Sequence, residues 1–370
     1  MIYIAKDIPL WQVTIWDKKF NNVDKKWQPK TIKYKYLLSD ELDSLRVDDG
    51  DVRILYTGKD VGFTTEELAG DRLSEGEIIS IPLGGIPTVK YHKGKFVTGD
   101  NRIATSKDIN KLTNKYLYYF MRGNIHEIAS YYRGASLKHP CMKDILKMTI
   151  SYPSVQEQDK ICGQFDVLEQ IIEVRKQELQ LLDDLIKARF VEMFNLSDCI
   201  YKSLGECTDF VDYRGHTPEL SDEGIIRMVN AKSVGKGFFK YVDEFVTEET
   251  YDAWMHRGFG YPGDILFVTE GHTFGNTCLI PEDMTKFALG QRVITIKGKE
   301  EIKNAFLCSY MQTDMFWKDI NVYRTGGTAQ GIRSKDLVKV MVPIPPIEQQ
   351  IEFVRFVHKF DKSKVVEIIN

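Results

Sequence analysis

Two stretches of this sequence decide its fold: PSVQEQDKICGQFDVLEQ at 153–170 and PPIEQQIEFVRFVHKF at 345–360. Their first prolines are 192 residues apart (345 − 153), and the same offset aligns Asp144 with Asp336 in matching Lys-Asp-Ile and Lys-Asp-Leu triplets. Gln158 and Gln350 follow five residues after those prolines, and an apolar pattern with helical spacing comes next. A repeat this long exceeds a solenoid unit, so the sequence predicts two copies of one domain, each followed by a helix.

The composition agrees with a tandem of globular domains. The 370 residues, 43% of them hydrophobic, suffice for two or three domains with a sizeable core each. The net charge is −3, which argues against nucleic-acid binding by bulk charge but leaves room for local basic surfaces. The six cysteines lack the spacing of a zinc site. Neither a signal sequence nor a run of eighteen apolar residues is present, so we expect a soluble, cytoplasmic protein without a membrane partner.

The segment after Pro153 carries a heptad pattern over more than four heptads. Its positions alternate in steps of four and three: Ile161, Phe165, Leu168, Ile172, Arg175, Leu179, Leu182, Ile186, Arg189 and Met193. The narrow stripe favours a two-helix coiled coil, in which the two arginines would fix the register or reach out to solvent. The alternative is an amphipathic helix that lies on a globular domain.

The second helix repeats the pattern over a shorter length. Phe353, Val357 and Phe360 align with the start of the first seam, and Asn370 aligns with Glu178. We therefore expect the second helix to pair with only part of the first, in an antiparallel arrangement. By this alignment Leu179, Leu182 and Ile186 would lack a partner within the chain, and another subunit would cover them.

Each globular block combines strand and helix patterns. The short apolar runs 77–82 and 264–269 each follow a glycine, as buried strands do, and 51–57 and 291–296 are also typical of strands. Aromatic-rich helices are predicted at 115–121 and 305–311. The predicted fold class is α+β: two mixed α/β domains in tandem, separated and joined by long helices that form an antiparallel coiled coil.

Basic and aromatic residues cluster in glycine-rich segments of both blocks. In the first block these are Lys90, Tyr91, Lys93, Lys95, Arg102, Tyr132, Arg133, Lys138 and His139. In the second block they are Lys232, Lys236, Tyr241, Arg324, Gln330, Arg333 and Lys335. Cations beside aromatic rings suit contacts with phosphates and base edges. Each cluster alone is also typical of a solvated hairpin face, but recurrence in both repeats favours nucleic acid.

Motifs that would indicate catalysis are missing from the sequence. It contains no GxxxxGK[ST] phosphate loop, no GxGxxG after a strand, no HExxH, and no Asn/Asp-Pro-Pro-aromatic tetrad that would hold an amino group beside a methyl donor. We therefore predict a binding protein without catalytic residues or a metal site of its own, whose chemistry is supplied by partners.

The arrangement of two variable domains, each followed by a Pro-x-x-x-x-Gln helix start, resembles the DNA-sequence specificity subunit of type I restriction-modification systems. The segments 90–106 and 132–140 are similar to motifs in first-position recognition domains of that family. The resemblance implies target-recognition domains at 1–153 and 196–346 and spacer helices at 154–195 and 347–370. It also implies three partners: double-stranded DNA, two modification subunits that use S-adenosylmethionine, and restriction subunits that use ATP and Mg²⁺. No cofactor would be bound by this chain itself.

Two other classes of function remain open at the level of sequence. A repeat-built adaptor would hold two proteins apart without touching DNA, and a standalone nuclease or methyltransferase would act without partners. The DNA target itself depends on the geometry of a few side chains, which sequence does not provide.

Overall fold

A computed structural model describes residues 5–17, 32–58, 61–213, 217–326 and 330–359 of the chain. It divides into two compact units, Met1–Gln170 and Ile171–Asn370, called here unit 1 and unit 2. The two-domain organisation predicted from the repeat is therefore confirmed, although the division falls within the first long helix rather than beside it.

The described residues of unit 1 form ten strands and six short helices before the long helix begins. The strands are β1 (Ala5–Pro9), β2 (Thr14–Trp16), β3 (Val52–Leu55), β4 (Gly62–Thr64), β5 (Ser74–Pro82), β6 (Lys90–Thr98), β7 (Asn101–Ser106), β8 (Tyr132–Arg133), β9 (His139–Pro140) and β10 (Thr149–Tyr152). The helices are α1 (Leu10–Val13), α2 (Ser39–Ser44), α3 (Glu66–Ala69), α4 (Asn114–Gly123), α5 (Ile125–Ser130) and α6 (Met142–Ile145), with a 3₁₀ turn at Gly70–Arg72.

The main sheet of unit 1 has the strand order β2-β7-β5-β6-β3-β4. All neighbouring strands are antiparallel except β3 and β6, which run parallel. Ile79, Ile81 and Ala104 on the sheet and Leu117 and Met121 on α4 belong to one buried cluster. The central strand β5 thus carries the apolar run 77–82 that the sequence predicted to be buried.

The long helix α7 (Val155–Met193) belongs to both units. Within its described residues, unit 2 then adds the strands β11 (Ile200–Ser203), β12 (Thr208–Asp212), β13 (Ile226–Val229), β14 (Phe245–Val246), β15 (Ile265–Val268), β16 (Thr277–Leu279), β17 (Phe287–Leu289), β18 (Val293–Gly298) and β19 (Met341–Ile344). Its helices are α8 (Leu204–Cys207), α9 (Glu248–Trp254), α10 (Asn304–Tyr310), α11 (Asp314–Tyr323), α12 (Ser334–Leu337) and α13 (Ile347–Val357), with 3₁₀ turns at Leu196–Asp198 and Ala231–Ser233.

Unit 2 repeats the topology of unit 1 with one interruption. The order β12-β18-β15-β16 matches β2-β7-β5-β6, and β13 pairs with an antiparallel and a parallel neighbour as β3 does. The nine-residue strand β6 corresponds to two short strands, β16 and β17, in separate sheets. Pro281 follows β16 almost directly. Because proline has no N–H to donate to a ladder, it ends a strand at this point.

The same hydrogen bonds are found at α1 in unit 1 and at α8 in unit 2. Thr14 Oγ1 donates to Leu10 O at 2.6 Å, and Thr208 Oγ1 donates to Leu204 O at 2.5 Å. Both leucines are completely buried. Leu10 N donates to Met148 O, and Leu204 N donates to Val340 O in the equivalent place. The repeat therefore includes one leucine and one threonine that make the same bonds in each unit, although the three residues between them differ.

Within unit 2, α13 runs antiparallel to the end of α7. The ring of Phe353 packs against those of Phe194 and Phe190, with centroids 5.5 Å and 5.4 Å apart. One turn further along α13, the ring of Phe356 lies beneath the Arg189 guanidinium at 5.7 Å. Residue numbers thus rise on one helix as they fall on the other, which confirms the antiparallel pairing. Phe360, predicted to continue this seam, lies outside the described residues.

Candidate nucleic-acid interface

Two loops of unit 1 that are far apart in sequence are joined by hydrogen bonds. The turn 83–88 lies between β5 and β6, and the loop 133–139 runs from the end of β8 to the start of β9. Gly85 N donates to Lys138 O at 3.2 Å, and His139 Nδ1 lies 2.8 Å from Leu83 O. We call the two segments the first loop pair.

Gly134 fixes the shape of the loop 133–139. Its φ is +143°, and a Cβ atom added there would lie 2.3 Å from Leu137 O. No side chain larger than hydrogen fits so close to a carbonyl oxygen. The loop can therefore turn back on itself and present Arg133, Lys138 and His139, all of them exposed.

Unit 2 contains a loop pair of the same construction. The turn 269–276 joins β15 to β16, and Gly271 N donates to Gln330 O at 2.9 Å. Gln330 and Lys138 are 192 residues apart, so the two backbone bonds occupy equivalent places in the repeat. Thr325 pairs with Gly331 as Arg133 pairs with His139. We call 269–276 and 324–331 the second loop pair; residues 327–329 of it lie outside the described part of the chain.

The turn 269–276 also contacts the basic hairpin of unit 2. Thr273 Oγ1 donates to Ala231 O at 3.5 Å, and Asn276 Nδ2 donates to Val234 O at 3.1 Å. Val234 pairs with Phe239, and between them Lys236 stands exposed. The basic hairpin 232–241 and the loop 324–331 are therefore both held against one turn.

The lysines on β6, predicted to bind nucleic acid, lie along a strand and contact neighbouring carboxylates or backbone carbonyls. Lys95 forms an ion pair with Glu66, whose hydrogen bond raises the pKa of the lysine. Lys90 donates to Tyr56 O at 2.6 Å, and the Tyr91 hydroxyl donates to Glu77 at 2.7 Å. Lys93 is 73% exposed, with Glu77 3.9 Å away. Of this set, Lys93 is the side chain that extends furthest into solvent.

Two of the predicted residues are buried. Arg102 is 5% exposed and lies between Asp17, at 3.3 Å, and Asp100, at 3.7 Å. Tyr132 is also 5% exposed, and its hydroxyl donates to Pro82 O at 2.7 Å. Tyr132 holds the carbonyl directly before the turn 83–88, and Arg102 is enclosed by carboxylates, so neither side chain is suited to direct contact with a ligand.

The predicted residues of unit 2 are mostly exposed. Lys232 forms an ion pair with Glu244, and Tyr241 donates to Asp283 at 2.7 Å while the Arg227 guanidinium lies 5.7 Å from its ring. The loop 324–331 carries Arg324, which donates to Asn321 at 3.2 Å, and half-buried Gln330. Exposed Arg333 directly precedes α12, and exposed Lys335 lies on that helix.

The structure adds polar residues that the sequence reasoning missed. Glu270 and Arg292 form an exposed ion pair at 3.2 Å beside the second loop pair, and His272 is exposed at its tip. The turn length differs between the units, so the offset of 192 does not align Gly85 with Gly271. A glycine shortly after the central strand of each unit, Gly85 or Gly271, is the sequence signal that could have located these polar residues.

The two ends of α7 pack against neighbouring residues through different kinds of contact. In unit 1 the Phe165 ring stacks on Tyr119 at 4.9 Å and is still 44% exposed. Asp166 accepts hydrogen bonds from Lys115 at 2.6 Å and Tyr119 at 2.7 Å. Burial acts to raise the pKa of Asp166, but these bonds outweigh it and the pKa is lowered. The docking here is largely polar, with Ile161 half-buried and Leu168 53% exposed.

In unit 2 the end of α7 is docked by apolar contacts. Ile186 and Val357 pack against the core around Phe190, and both line a cavity of about 540 Å³. The expectation that Ile186 lacks a partner within the chain was therefore wrong. Because α13 pairs with α7 from the last turn of α7 backwards, the described part of α13 is long enough to bring Val357 to the same cavity as Ile186. Ile172, Leu179 and Leu182 are half-buried.

The described residues contain no cluster of metal-binding side chains: among them, no group of three histidines, cysteines or acidic residues is placed to hold a metal ion. Burial raises the pKa of the Cys162 and Cys207 thiols to about 11, which opposes formation of a nucleophilic thiolate. Within the same part of the chain, no helix has the length and apolar character needed to cross a membrane.

Comparison with protein families identifies the repeat. The profile of the type I restriction modification DNA specificity domain matches residues 43–183 and again 209–370. The chain belongs to this family. Both matches begin inside a globular unit and continue into the helix that follows it. The family is one of recognition subunits rather than catalytic ones.

Individual relatives agree with the family assignment. The chain is 25% identical over 280 residues to the EcoR124I/EcoR124II specificity subunit of Escherichia coli, and 21% identical over 309 residues to the EcoDI specificity subunit of the same organism. The alignments cover 70% and 74% of this chain and 66% and 68% of those relatives. The crystal structure of an S subunit from M. genitalium superposes with a TM-score of 0.57 at 17% identity, covering 99% of this chain and 91% of that one, which shows a shared fold.

Proposed function

We propose that this chain is the DNA-reading subunit of a type I restriction-modification system, in which each unit reads one half of a bipartite target. The observation that carries this proposal is the loop pair that recurs in both units, closed by the Gly85–Lys138 bond in one and the Gly271–Gln330 bond in the other. Two readers of the same construction on different sequences suit two different half-targets. The adaptor alternative gives no reason for exposed cations to recur at these loops.

Exposed cations on the loop pairs and elsewhere in each unit are proposed to contact DNA phosphates. In unit 1 these are Arg133, Lys138 and Lys93; in unit 2 they are Lys232, Lys236, Arg324, Arg333 and Lys335. Phosphate contacts set the position of a protein on the duplex, while base-edge contacts select the sequence. His139, Gln330 and Tyr241 carry the hydrogen-bonding groups and ring faces for the second task.

The chain is proposed to work with partners that carry out the chemistry. Two modification subunits would transfer a methyl group from S-adenosylmethionine, and restriction subunits would use ATP and Mg²⁺. Exposed apolar residues on α7, among them Val167, Leu168, Val174, Leu181 and Leu185, are 44–68% exposed and would be covered by such partners. An exposed apolar stripe of this kind is a common sign of a protein interface.

Exchange of one reader tests the proposal. The chain would be produced with its modification subunits in a host without other methyltransferases, and the methylated sites mapped across the genome. Replacing residues 1–153 with the equivalent block of a relative should change one half of the methylated target and leave the other half intact. The adaptor alternative predicts that both halves stay the same, and a change in both halves at once would contradict the two-reader arrangement.

A further inference from the structure

We propose that Ile86 is a specificity-determining residue whose side chain contacts the 5-methyl group of a thymine in the half-target read by unit 1. This inference rests on the proposed function and adds to it the kind of base that unit 1 selects. The apolar side chain of Ile86 is 78% exposed at the tip of the turn 83–88.

The turn holds Ile86 in a defined position. Gly85, directly before it, has a φ of +90° and is bonded through its N–H to Lys138 O. Gly84 packs so closely that a Cβ atom added there would lie 3.2 Å from the Leu137 side chain and 3.4 Å from the His139 ring. Ile86 therefore projects from a backbone that is tied to the neighbouring loop on its N-terminal side.

The surroundings of Ile86 suit a nucleic acid rather than a protein core. On the bonded loop, Leu137 is a second exposed aliphatic residue, at 53%. It is followed by Lys138 and His139, and Arg133 begins the loop; all three are exposed. An apolar tip with cations beside it matches a base edge with phosphates beside it.

The second unit carries a different residue in the equivalent place. His272 follows the anchored Gly271 as Ile86 follows Gly85, and it is also exposed. The frame is therefore shared while the side chain at its tip changes from apolar to hydrogen-bonding. This is the expected behaviour of a position that selects a base, because the two units would read different half-targets.

Thymine is the base that fits an aliphatic tip. Its 5-methyl group is the apolar feature in the base-pair patterns of the major groove, where other groups donate or accept hydrogen bonds. Covering one methyl group with an aliphatic side chain removes apolar area from water, which corresponds to about a fourfold gain in affinity. The half-target of unit 1 should accordingly contain at least one A·T pair.

Deoxyuridine substitution tests this contact, because deoxyuridine lacks only the 5-methyl group of thymine. The complex of the full chain with its modification subunits would be titrated with duplexes in which each thymine of the unit 1 half-target is replaced in turn. At one position the affinity should fall about fourfold. With Ile86→Ala the same replacement should have no effect, while Ile86→Val should keep part of it.

Ile109→Ala is the matched control. Ile109 is 58% exposed but lies in the segment 107–112, which is bonded to the start of α7 and not to either loop. This variant should retain the fourfold sensitivity to deoxyuridine. Three results would each overturn the inference: a half-target without A·T pairs, no thymine that is sensitive to the replacement, or sensitivity that survives in Ile86→Ala. Target binding and the two-reader arrangement would still stand in each case. If exchange of residues 1–153 leaves the target unchanged, the proposed function fails first and the inference falls with it.

Discussion

Gln158 and Gln350 make the same three hydrogen bonds in the two units. Gln158 Oε1 accepts from Thr113 N at 2.9 Å, and its Nε2 donates to Lys111 O at 2.7 Å and Pro153 O at 2.9 Å. Gln350 bonds in the same way to Lys303 N, Glu301 O and Pro345 O at 2.9, 3.0 and 2.8 Å. Both side chains are completely buried. Gln158 thus joins the first turn of α7 to the loop before α4. Gln350 joins the first turn of α13 to the loop before α10 in the same way.

The first prediction follows from that burial. Gln158→Leu would remove three hydrogen bonds and leave a part-buried N–H and two carbonyls without partners, which should lower the free energy of unfolding by about 3 kcal/mol. Gln350→Leu should have a similar effect. The measurement is urea denaturation of the full chain followed by circular dichroism.

The matched controls for the glutamine variants are their exposed neighbours. Gln156→Leu and Gln349→Leu change the same residue type on the same helical turns, where the side chains are exposed. Both should leave the denaturation midpoint within experimental error. Equal losses in the control and test variants would show that the buried hydrogen bonds do not stabilise the helix start.

The second prediction concerns the cations of the first loop pair. Arg133→Ala combined with Lys138→Ala should weaken DNA binding by the complex and reduce the slope of log affinity against log salt by about two, since each lost phosphate contact lowers it by about one. Lys111→Ala is the control, because Lys111 is 74% exposed and lies in the segment bonded to Gln158. Fluorescence anisotropy at several salt concentrations gives the slopes. A double variant with the wild-type slope would remove this loop from the DNA interface.

The sequence allowed the frame of the molecule to be predicted but not its recognition surface. Pro153, Gln158 and their counterparts recur at one offset in both copies, so the repeat itself carried the information, although Gln158 bonds to residues more than forty positions away. The lysines on β6 could not be judged in the same way. Glu77 and Glu66, which pair with them, lie on β5 and α3 and approach only after the sheet has formed.

The loop pairs illustrate the same limit. The bond between Gly85 and Lys138 joins residues 53 positions apart (138 − 85), and nothing in either segment indicates the other. Arg102 was predicted to face a ligand because it lies in a basic segment, yet Asp17 and Asp100 surround it. Charge along a strand does not reveal which face of the sheet is buried, whereas the proline-marked helix starts are visible in the sequence because they recur at one offset.

The third prediction separates recognition from overall stability. Gly134→Ala would place a Cβ atom 2.3 Å from Leu137 O in a residue with φ of +143°, so the loop 133–139 must rearrange. The strain should cost about 1–3 kcal/mol locally and should weaken DNA binding more than it lowers the melting temperature. Gly123→Ala is the control, because no atom lies within 4 Å of the added Cβ. Comparable affinity in both variants would show that the shape of this loop is irrelevant to recognition.

The last prediction concerns α7, a single helix of 39 residues shared by both units. Inserting seven residues between Leu179 and Leu182 preserves the heptad seam and adds about 10 Å of helix. The two readers would then meet DNA at a larger separation, so the non-specific spacer between the half-targets should lengthen while each half-target keeps its sequence. Insertion of four residues instead should disturb the seam and reduce assembly with the modification subunits. Methylated sites mapped in hosts that carry each variant give the spacer, and light scattering after size exclusion gives the assembly state. An unchanged spacer in a correctly assembled seven-residue variant would show that α7 does not set the distance between the two readers.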